Sequence, residues 1–399
     1  MKKTIVYTLL IILIIVVLVI IFINSKKNDN NRSVLIDTFI KINNTVYKIN
    51  DIPENLQDNG IFKNYYFKAY NKLKTLSLDE KIGQIFLVRV PATNKINTIT
   101  DYKIGGYLLF QRDFDNKTKN DVINMIKEFQ DNSSIPLLIA SDEEGGTVTR
   151  ISNNHNLVDT PFKSPQYLYN KGGLSLIEED TINKSKILNE LGINLNLAPV
   201  VDVSTNPNDY MYKRSLGKNA LETSKFAETV IKASKNTNVS YTLKHFPGYG
   251  NNVDTHTKKS IDDRSYNDIM NNDILPFKLG IDAGAKAILI SHNIVTSIDS
   301  DNPASLSPNI HNLLRNELNF TGITITDDLD MQAISKYAND NAVIKAILAG
   351  NDLLIVTDYK KSIQEVKDAI NNQTLSEDLI DKLAFRIIAW KYYKRLIKD

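Results

Sequence analysis

Short apolar runs alternate with amphipathic stretches from about Leu78 to the end of this chain. Eight of the runs read as strands: Gly83–Val90, Gly106–Phe110, Pro136–Ser141, Ile193–Val203, Val239–Leu243, Ala285–Ser291, Gly322–Thr326 and Asp352–Thr357. Each is short and rich in β-branched residues or Leu, the pattern of parallel strands buried on both faces. Stretches of helical period lie between most of them, for example Asn120–Phe129, Leu221–Lys235, Ile269–Ala283, Ile310–Leu318 and Asn341–Ala349. A final helix is expected around Leu379–Leu396. Eight strands with helices between most of them over about 300 residues predict an α/β fold, a (β/α)8 TIM barrel. An open doubly wound sheet is the alternative. It is disfavoured because no G-x-G-x-x-G follows the first strand. Val34–Ser77 is less regular. It carries Tyr65, Tyr66, Phe67 and Tyr70 and is expected to pack across the barrel or to link it to what precedes.

The amino terminus has a different pattern. Thr4 to Asn24 holds no charge, and Ile5–Ile23 is almost wholly Ile, Val and Leu. A helix of about 19 residues covers ~29 Å, close to the ~30 Å hydrocarbon core of a bilayer. A cleaved signal peptide would have a shorter apolar region ending in small residues, and this run ends Ile-Phe-Ile-Asn-Ser-Lys-Lys. One transmembrane helix that stays attached is therefore expected, with the body outside the cytoplasm. The lysines on its two sides nearly balance, so the orientation rests on the large domain that follows. The expected organisation is a membrane anchor over 1–27, a tether and extension over 28–75, and one catalytic domain over 76–399.

Composition narrows the function. Of 399 residues, 24% are charged and 42% hydrophobic, which excludes a chain disordered throughout and a multi-span transporter. The net charge is +2, and Lys2, Lys3, Lys26 and Lys27 account for it, so the body is slightly acidic. No basic excess is left for nucleic acid. Cysteine is absent, which excludes thiolate metal sites, disulfides and a cysteine nucleophile.

Ionisable residues follow the strands. Arg89 ends the first. Asp142, Glu144, Gly145, Gly146 and Arg150 follow the third. Asp202 lies in the fourth, with Arg214 beyond it. Lys244-His245 ends the fifth, Ser291-His292 the sixth and Asp327-Asp328 the seventh. The C-terminal mouth of such a barrel holds the chemistry, so these groups are expected to line one cavity for a polar ligand. Arg89 is open between bridging barrel carboxylates and touching ligand. His245, His256 and His292 permit a triple-histidine metal site in principle, but no H-x-H or H-E-x-x-H is present and Lys244 would repel a cation. Gly145-Gly146 lacks the ending of a nucleotide-binding loop. No metal and no cofactor are expected.

The remaining candidate chemistry is glycoside hydrolysis by two carboxylates or by a carboxylate with a histidine. Asp327, at the end of a rigid strand, suits the nucleophile. In Asp254-Thr255-His256, the Asp can hold the imidazole in one tautomer and stabilise its charged form.

These residues carry a family resemblance. Lys244-His-Phe-Pro-Gly-Tyr-Gly250 followed by Asp254-Thr-His256 resembles glycoside hydrolase family 3, and within it the NagZ-type β-N-acetylhexosaminidase branch. Asp142-Glu-Glu-Gly-Gly-Thr-Val-Thr-Arg150, Ala198-Pro-Val-Val-Asp-Val203, Arg214-Ser-Leu-Gly217 and Thr326-Asp-Asp-Leu-Asp-Met331 are similar to further segments of that family, in order, from about Leu76 to near the end of the chain. Thr147 stands where many relatives have Arg, and Tyr249 where His is frequent.

The resemblance implies a retaining exo-β-N-acetylglucosaminidase acting on muropeptides or chitooligosaccharides through a covalent glycosyl-enzyme. Asp327 would be the nucleophile, His256 the acid/base and Asp254 its partner. Asp142, Arg150, Arg214, Lys244 and His245 would bind the sugar. The expected partners are β-linked N-acetylglucosamine-containing saccharides and, through the anchor, the membrane. A β-glycosidase of other specificity, a glycoside phosphorylase and a catalytically silent sugar-binding barrel on the membrane are the competing readings.

Overall fold

The structure, a computed structural model, describes residues 39–42, 45–48, 52–250, 260–331, 334 and 341–398. The chain divides into two compact units, Met1–Gln57 and Asp58–Asp399. In the first, Phe39–Ile42 pairs antiparallel with Thr45–Lys48. The expected anchor Ile5–Ile23 lies outside the described residues. Among the described ones, no helix is long and apolar enough to cross a membrane.

The second unit is built on eight parallel strands: β1 (Phe86–Arg89), β2 (Gly106–Leu109), β3 (Leu138–Ser141), β4 (Leu195–Asn196), β5 (Ser240–Phe246), β6 (Ala287–Ile290), β7 (Ile323–Thr326) and β8 (Leu354–Val356). They lie in the order β7-β6-β5-β4-β3-β2-β1-β8. The two ends of that order meet. Ile325 and Leu353 form a parallel bridge, and the Thr326 and Leu329 N–H groups donate to Leu353 and Ile355 carbonyls at 3.0 Å each. The sheet is a nearly closed, TIM-like α/β barrel, as the alternation of apolar runs predicts.

Every expected strand is present, with shifted bounds. Gly83 and Gln84 belong to the end of a helix over Leu78–Gln84, started by a capping box of Ser77 and Glu80. The run Ile193–Val203 narrows to Leu195–Asn196 because Pro199 has no N–H to give a ladder. Beyond the proline, pairing resumes irregularly: Lys244 N–H donates to Pro199 O at 3.2 Å, and Val201 N–H donates to Lys244 O at 2.8 Å. Strand β5 runs on to Phe246, so Lys244 and His245 lie within a strand.

The helices Lys119–Asp131, Ala220–Ser234, Ala342–Ala349 and Glu377–Tyr393 match expected stretches. The longest helical span among the described residues, Pro165–Glu190, was not among them. It breaks at Gly173 (φ 63°), which interrupts the helical period. Tyr66, in the helix Tyr66–Leu73, packs its ring 5.0 Å from that of Phe385 on the last helix.

Candidate active site

The strand ends converge on one cavity of about 650 Å³. Asp142, Arg150, Arg214, Lys244, His245 and Asp327, all marked in the sequence, line it together with Arg89, Phe110, Tyr210, Tyr249, Asp328 and Thr357. Asp254 and His256 lie outside the described residues. The chain enters that segment from Tyr249, itself a wall of the cavity, and Gly250. It returns through Ile261–Asp262, which pairs with Ile294–Val295.

The segment after β3 supplies a carboxylate at each of three successive positions, and the structure separates their tasks. Glu143 turns inward. It accepts from the Arg150 and Ile151 N–H groups at 2.9 and 2.7 Å and from the Ser152 hydroxyl, which fixes the loop that carries Arg150. Gly145 and Gly146, both at positive φ, make the intervening turn. A Cβ on Gly145 would lie 2.3 Å from the Lys163 carbonyl, so a side chain there would force the turn open. Asp142 faces the cavity. It accepts from Lys244 Nζ at 2.8 Å and lies 3.9 Å from the Arg150 guanidinium.

Glu144 sits behind them, buried, and the sequence reading left it without a role. It takes two hydrogen bonds from Arg214, at 3.0 and 2.6 Å, and its Oε1 lies 2.7 Å from Lys244 Nζ. Burial alone would favour its neutral form. The charges of Lys244 and Arg214 outweigh burial and hold its carboxyl well below the usual carboxylate range. Burial likewise opposes the charge on Lys244, and Asp142 and Glu144 reverse that effect and raise its pKa. Both cations stay charged in a largely dry place, with their ends fixed at the cavity wall.

Asp202 is a second residue with no assigned role in the sequence. Its carboxylate, 1% exposed, accepts from His245 Nδ1 at 2.7 Å and from the Tyr249 N–H at 2.8 Å. A carboxylate can only accept, so Nδ1 carries the proton and the ring is held in one orientation. The sequence set Asp202 among the groups expected to line the cavity, and the structure instead buries it behind His245, a partner 43 positions away.

Asp327 follows β7 directly, and its N–H donates to Ile290 O at 3.0 Å. Its Oδ1 accepts from the Asp328 N–H at 2.9 Å. The segment beyond is tied on two sides. Asp328 accepts from the Thr357 hydroxyl at 2.9 Å, and Asp330 accepts from the Thr357 and Asp358 N–H groups at 2.6 and 2.9 Å. His292 Nε2 donates to the Asp328 carbonyl at 2.9 Å, and its Nδ1 is 2.8 Å from Ser305 Oγ. Both ring nitrogens of His292 are thus engaged. Burial pushes the Asp328 carboxyl up to about 6. Hydrogen bonds from the Asp330 N–H and Thr357 oppose this, and the charges of Asp330 and Asp327 add to it.

The residues 77–390 match the family model described as the glycosyl hydrolase family 3 N terminal domain. The beta-hexosaminidase of Actinobacillus pleuropneumoniae serotype 5b (strain L20) is 32% identical over 304 residues, covering 72% of this chain and 84% of its own. Beta-hexosaminidase A of Pseudoalteromonas piscicida is 31% identical over 324 residues, covering 73% of this chain. The match spans only 54% of that relative's length. Among solved structures, a family 3 β-N-acetylglucosaminidase from Paenibacillus sp. str. FPU-7 superposes with a TM-score of 0.76 at 29% identity, over 81% of this chain and 63% of its own. A β-N-acetylhexosaminidase from Beutenbergia cavernae DSM 12333 does so at 0.71 and 26% identity, over 79% and 99%. The motif-bearing residues gathered at one barrel mouth, the barrel itself and a match over most of the sequence agree that this chain belongs to glycosyl hydrolase family 3.

Proposed function

We propose that the chain is a retaining exo-acting β-N-acetylglucosaminidase. The observation that carries this reading is the placement of Asp327 in the same cavity as the charged cluster of Asp142, Lys244, Arg214 and Arg150. The relatives named as β-hexosaminidases and β-N-acetylglucosaminidases support it. Asp142 offers lone pairs to sugar hydroxyls. Arg150, Arg214 and Lys244 offer N–H groups to hydroxyls or to the acyl oxygen of an N-acetyl group. His245, oriented by Asp202, adds a further polar edge. With the sugar so held, Asp327 attacks the anomeric carbon and forms a glycosyl-enzyme, which water then hydrolyses. The acid/base role goes to His256 with Asp254. The histidine is protonated as the leaving group departs and neutral as it activates water. Binding groups fixed before substrate arrives lower the barrier most where their hydrogen bonds tighten as charge develops on the ring.

The test uses paired aryl glycosides. Turnover of the β-N-acetylglucosaminide well above that of the β-glucoside is the expected result, and the reverse preference would sink the specificity. A slow fluorosugar substrate should leave its label on Asp327. A label on Asp328 would overturn the nucleophile assignment, and an inverted product would remove the two-step scheme.

The natural substrate in this reading is a terminal N-acetylglucosamine on muropeptides or chitooligosaccharides. The catalytic body sits outside the cytoplasm, held by Ile5–Ile23 as a single membrane span. Protease added to intact cells should then remove the body, and a mature protein beginning near Lys26 and released to the medium would count against the anchor.

A further inference from the structure

The N-terminal ends of the strands form the face opposite the cavity, and two distant segments meet there. Asp58 accepts from the Arg386 guanidinium at 2.8 Å and from the Tyr66 hydroxyl. Arg386 donates in turn to the Thr321 and Gly322 carbonyls at 3.0 and 2.7 Å, and the Ile61 N–H donates to the Thr321 hydroxyl at 3.1 Å. Thr321 and Gly322 lead into β7, so the stretch that precedes the barrel is fastened at its base. Near the other end of the chain, Lys394 Nζ donates to the Asn194 carbonyl, just before β4, at 2.6 Å. It also donates to the hydroxyl of Ser240, the first residue of β5, at 2.9 Å. This places Tyr393 on the same face, with the rings of Phe62 and Tyr65 5.5 and 5.9 Å from its own.

The charged groups around that aromatic cluster are basic. Lys286, just before β6, sets its Nζ 5.1 Å from the Tyr393 ring centroid. Lys235 joins these two in lining a small cleft that holds no acid. Lys63 lies between Phe62 and Tyr65 in the chain, and Arg395 and Lys398 follow Tyr393. Lys63, Lys235, Arg395 and Lys398 are exposed. None of these five cations forms an ion pair among the described residues. Burial and then the charge of Lys235 lower the pKa of Lys286, and no acid opposes them. Clustered Lys and Arg beside Tyr is the composition that seats a protein on an anionic lipid surface. The cations meet headgroup phosphates, and the amphipathic rings lie at headgroup level.

We propose that this face, with Lys63, Lys235, Lys286 and Arg395 around Tyr65 and Tyr393, docks on the headgroups of an anionic bilayer. The docking rests on the reading of Ile5–Ile23 as a membrane span, which brings the base of the barrel, where the preceding stretch is fastened, within reach of the lipid. The cleft beside Tyr393, of about 50 Å³, takes one headgroup phosphate at most, and the other cations flank it. The C-terminal ends of the strands then point away from the bilayer, and the cavity opens toward saccharides beyond it.

The experiment reconstitutes the full chain in vesicles of phosphatidylcholine, or of an equal mixture of phosphatidylcholine and phosphatidylglycerol. A membrane-impermeant reagent then labels exposed amines, which mass spectrometry reads. In the mixed vesicles Lys63, Lys235 and Lys286 should label at least about fivefold more slowly than in neutral ones, since each lysine near an anionic surface favours the docked state roughly fivefold. High salt should abolish the difference, and Lys213, next to Arg214, should label alike in both. Lys63→Glu combined with Lys235→Glu should remove the protection of Lys286 and leave hydrolysis of an aryl β-N-acetylglucosaminide as in the wild type. Should that variant fail to fold, the wild-type comparison of the two lipids decides by itself. Equal labelling in both vesicles overturns the docking. So does protection by soluble polyphosphate in neutral vesicles without any by the anionic lipid, which would assign the face to a polymer. Flotation separates the docking from the span. A chain that floats with neutral vesicles and shows no lipid-dependent protection keeps the span and loses the docking. A chain that floats only with anionic vesicles, in a salt-sensitive way, loses the span and keeps the docking.

Discussion

The imidazole of His292 donates from Nε2 to the backbone carbonyl of Asp328 at 2.9 Å, one residue beyond the proposed nucleophile. His292 follows β6 and Asp328 follows β7, so this bond ties two neighbouring strand ends together. It holds the backbone that aims Asp327. His292→Phe should keep the ring volume and lose the bond. The orphaned carbonyl costs about 1–3 kcal/mol. If that cost falls on the alignment of Asp327, kcat on an aryl β-N-acetylglucosaminide drops roughly 5- to 150-fold with little change in KM. An unchanged kcat would show that the Asp328 and Asp330 ties to the segment after β8 suffice.

Asp142 gathers Lys244 and faces the cavity proposed to hold the sugar. Asp142→Ala should lower kcat/KM by at least 10-fold, since each charge-assisted hydrogen bond lost is worth about 1.5–3 kcal/mol. Steady-state kinetics on the same glycoside measure it. A kcat/KM equal to the wild type would take Asp142 out of the sugar site.

Glu144 should matter more for stability than its distance from the reacting atoms suggests. Glu144→Gln leaves Lys244 and Arg214 buried with half their counter-charge, and breaking such a pair costs about 3–5 kcal/mol. Urea unfolding should show a lowered midpoint with an unchanged slope. Glu144→Asp, which keeps the charge and shortens the reach, should recover part of the loss.

The Asp328 carboxyl gives a pH signature. Its pKa in the folded chain is pushed up to about 6, by burial first, against about 4 in an unfolded chain. Between those values the folded form keeps a proton that the unfolded form has released. Its contribution to stability therefore falls as pH rises from about 4 to about 6, and the penalty is fully present above that. Asp328→Asn has no such dependence. The melting temperature of the variant relative to wild type should rise between pH 4 and pH 7, reflecting a penalty of about 1–3 kcal/mol. A difference that stays flat with pH would mean that Asp328 titrates normally.

The order of strands and helices was legible in the sequence because it depends on local periodicity. Buried parallel strands must be short apolar runs, and each of the eight expected runs overlaps one. The polar residues at the strand ends were legible for the same reason. A barrel brings all C-terminal strand ends to one mouth, so Asp142, Arg150, Arg214, Lys244, His245 and Asp327 meet once the sheet is nearly closed. Which of them touch, and what stands behind them, was decided by the tertiary structure alone. Lys244 reaches Asp142 across 102 positions, and Arg214 reaches Glu144 across 70. Spacing along the chain carries no trace of such pairs. Glu144 and Asp202 read as motif letters until their partners appeared, and Arg89 was open between bridging carboxylates and touching ligand until the structure set it against the Phe110 ring. The broken helix after β3 was illegible because Gly173 divides its pattern. Periodicity acts over a few residues and writes itself into the sequence. Charge pairing inside a barrel acts between distant segments and exists only after the strands have assembled.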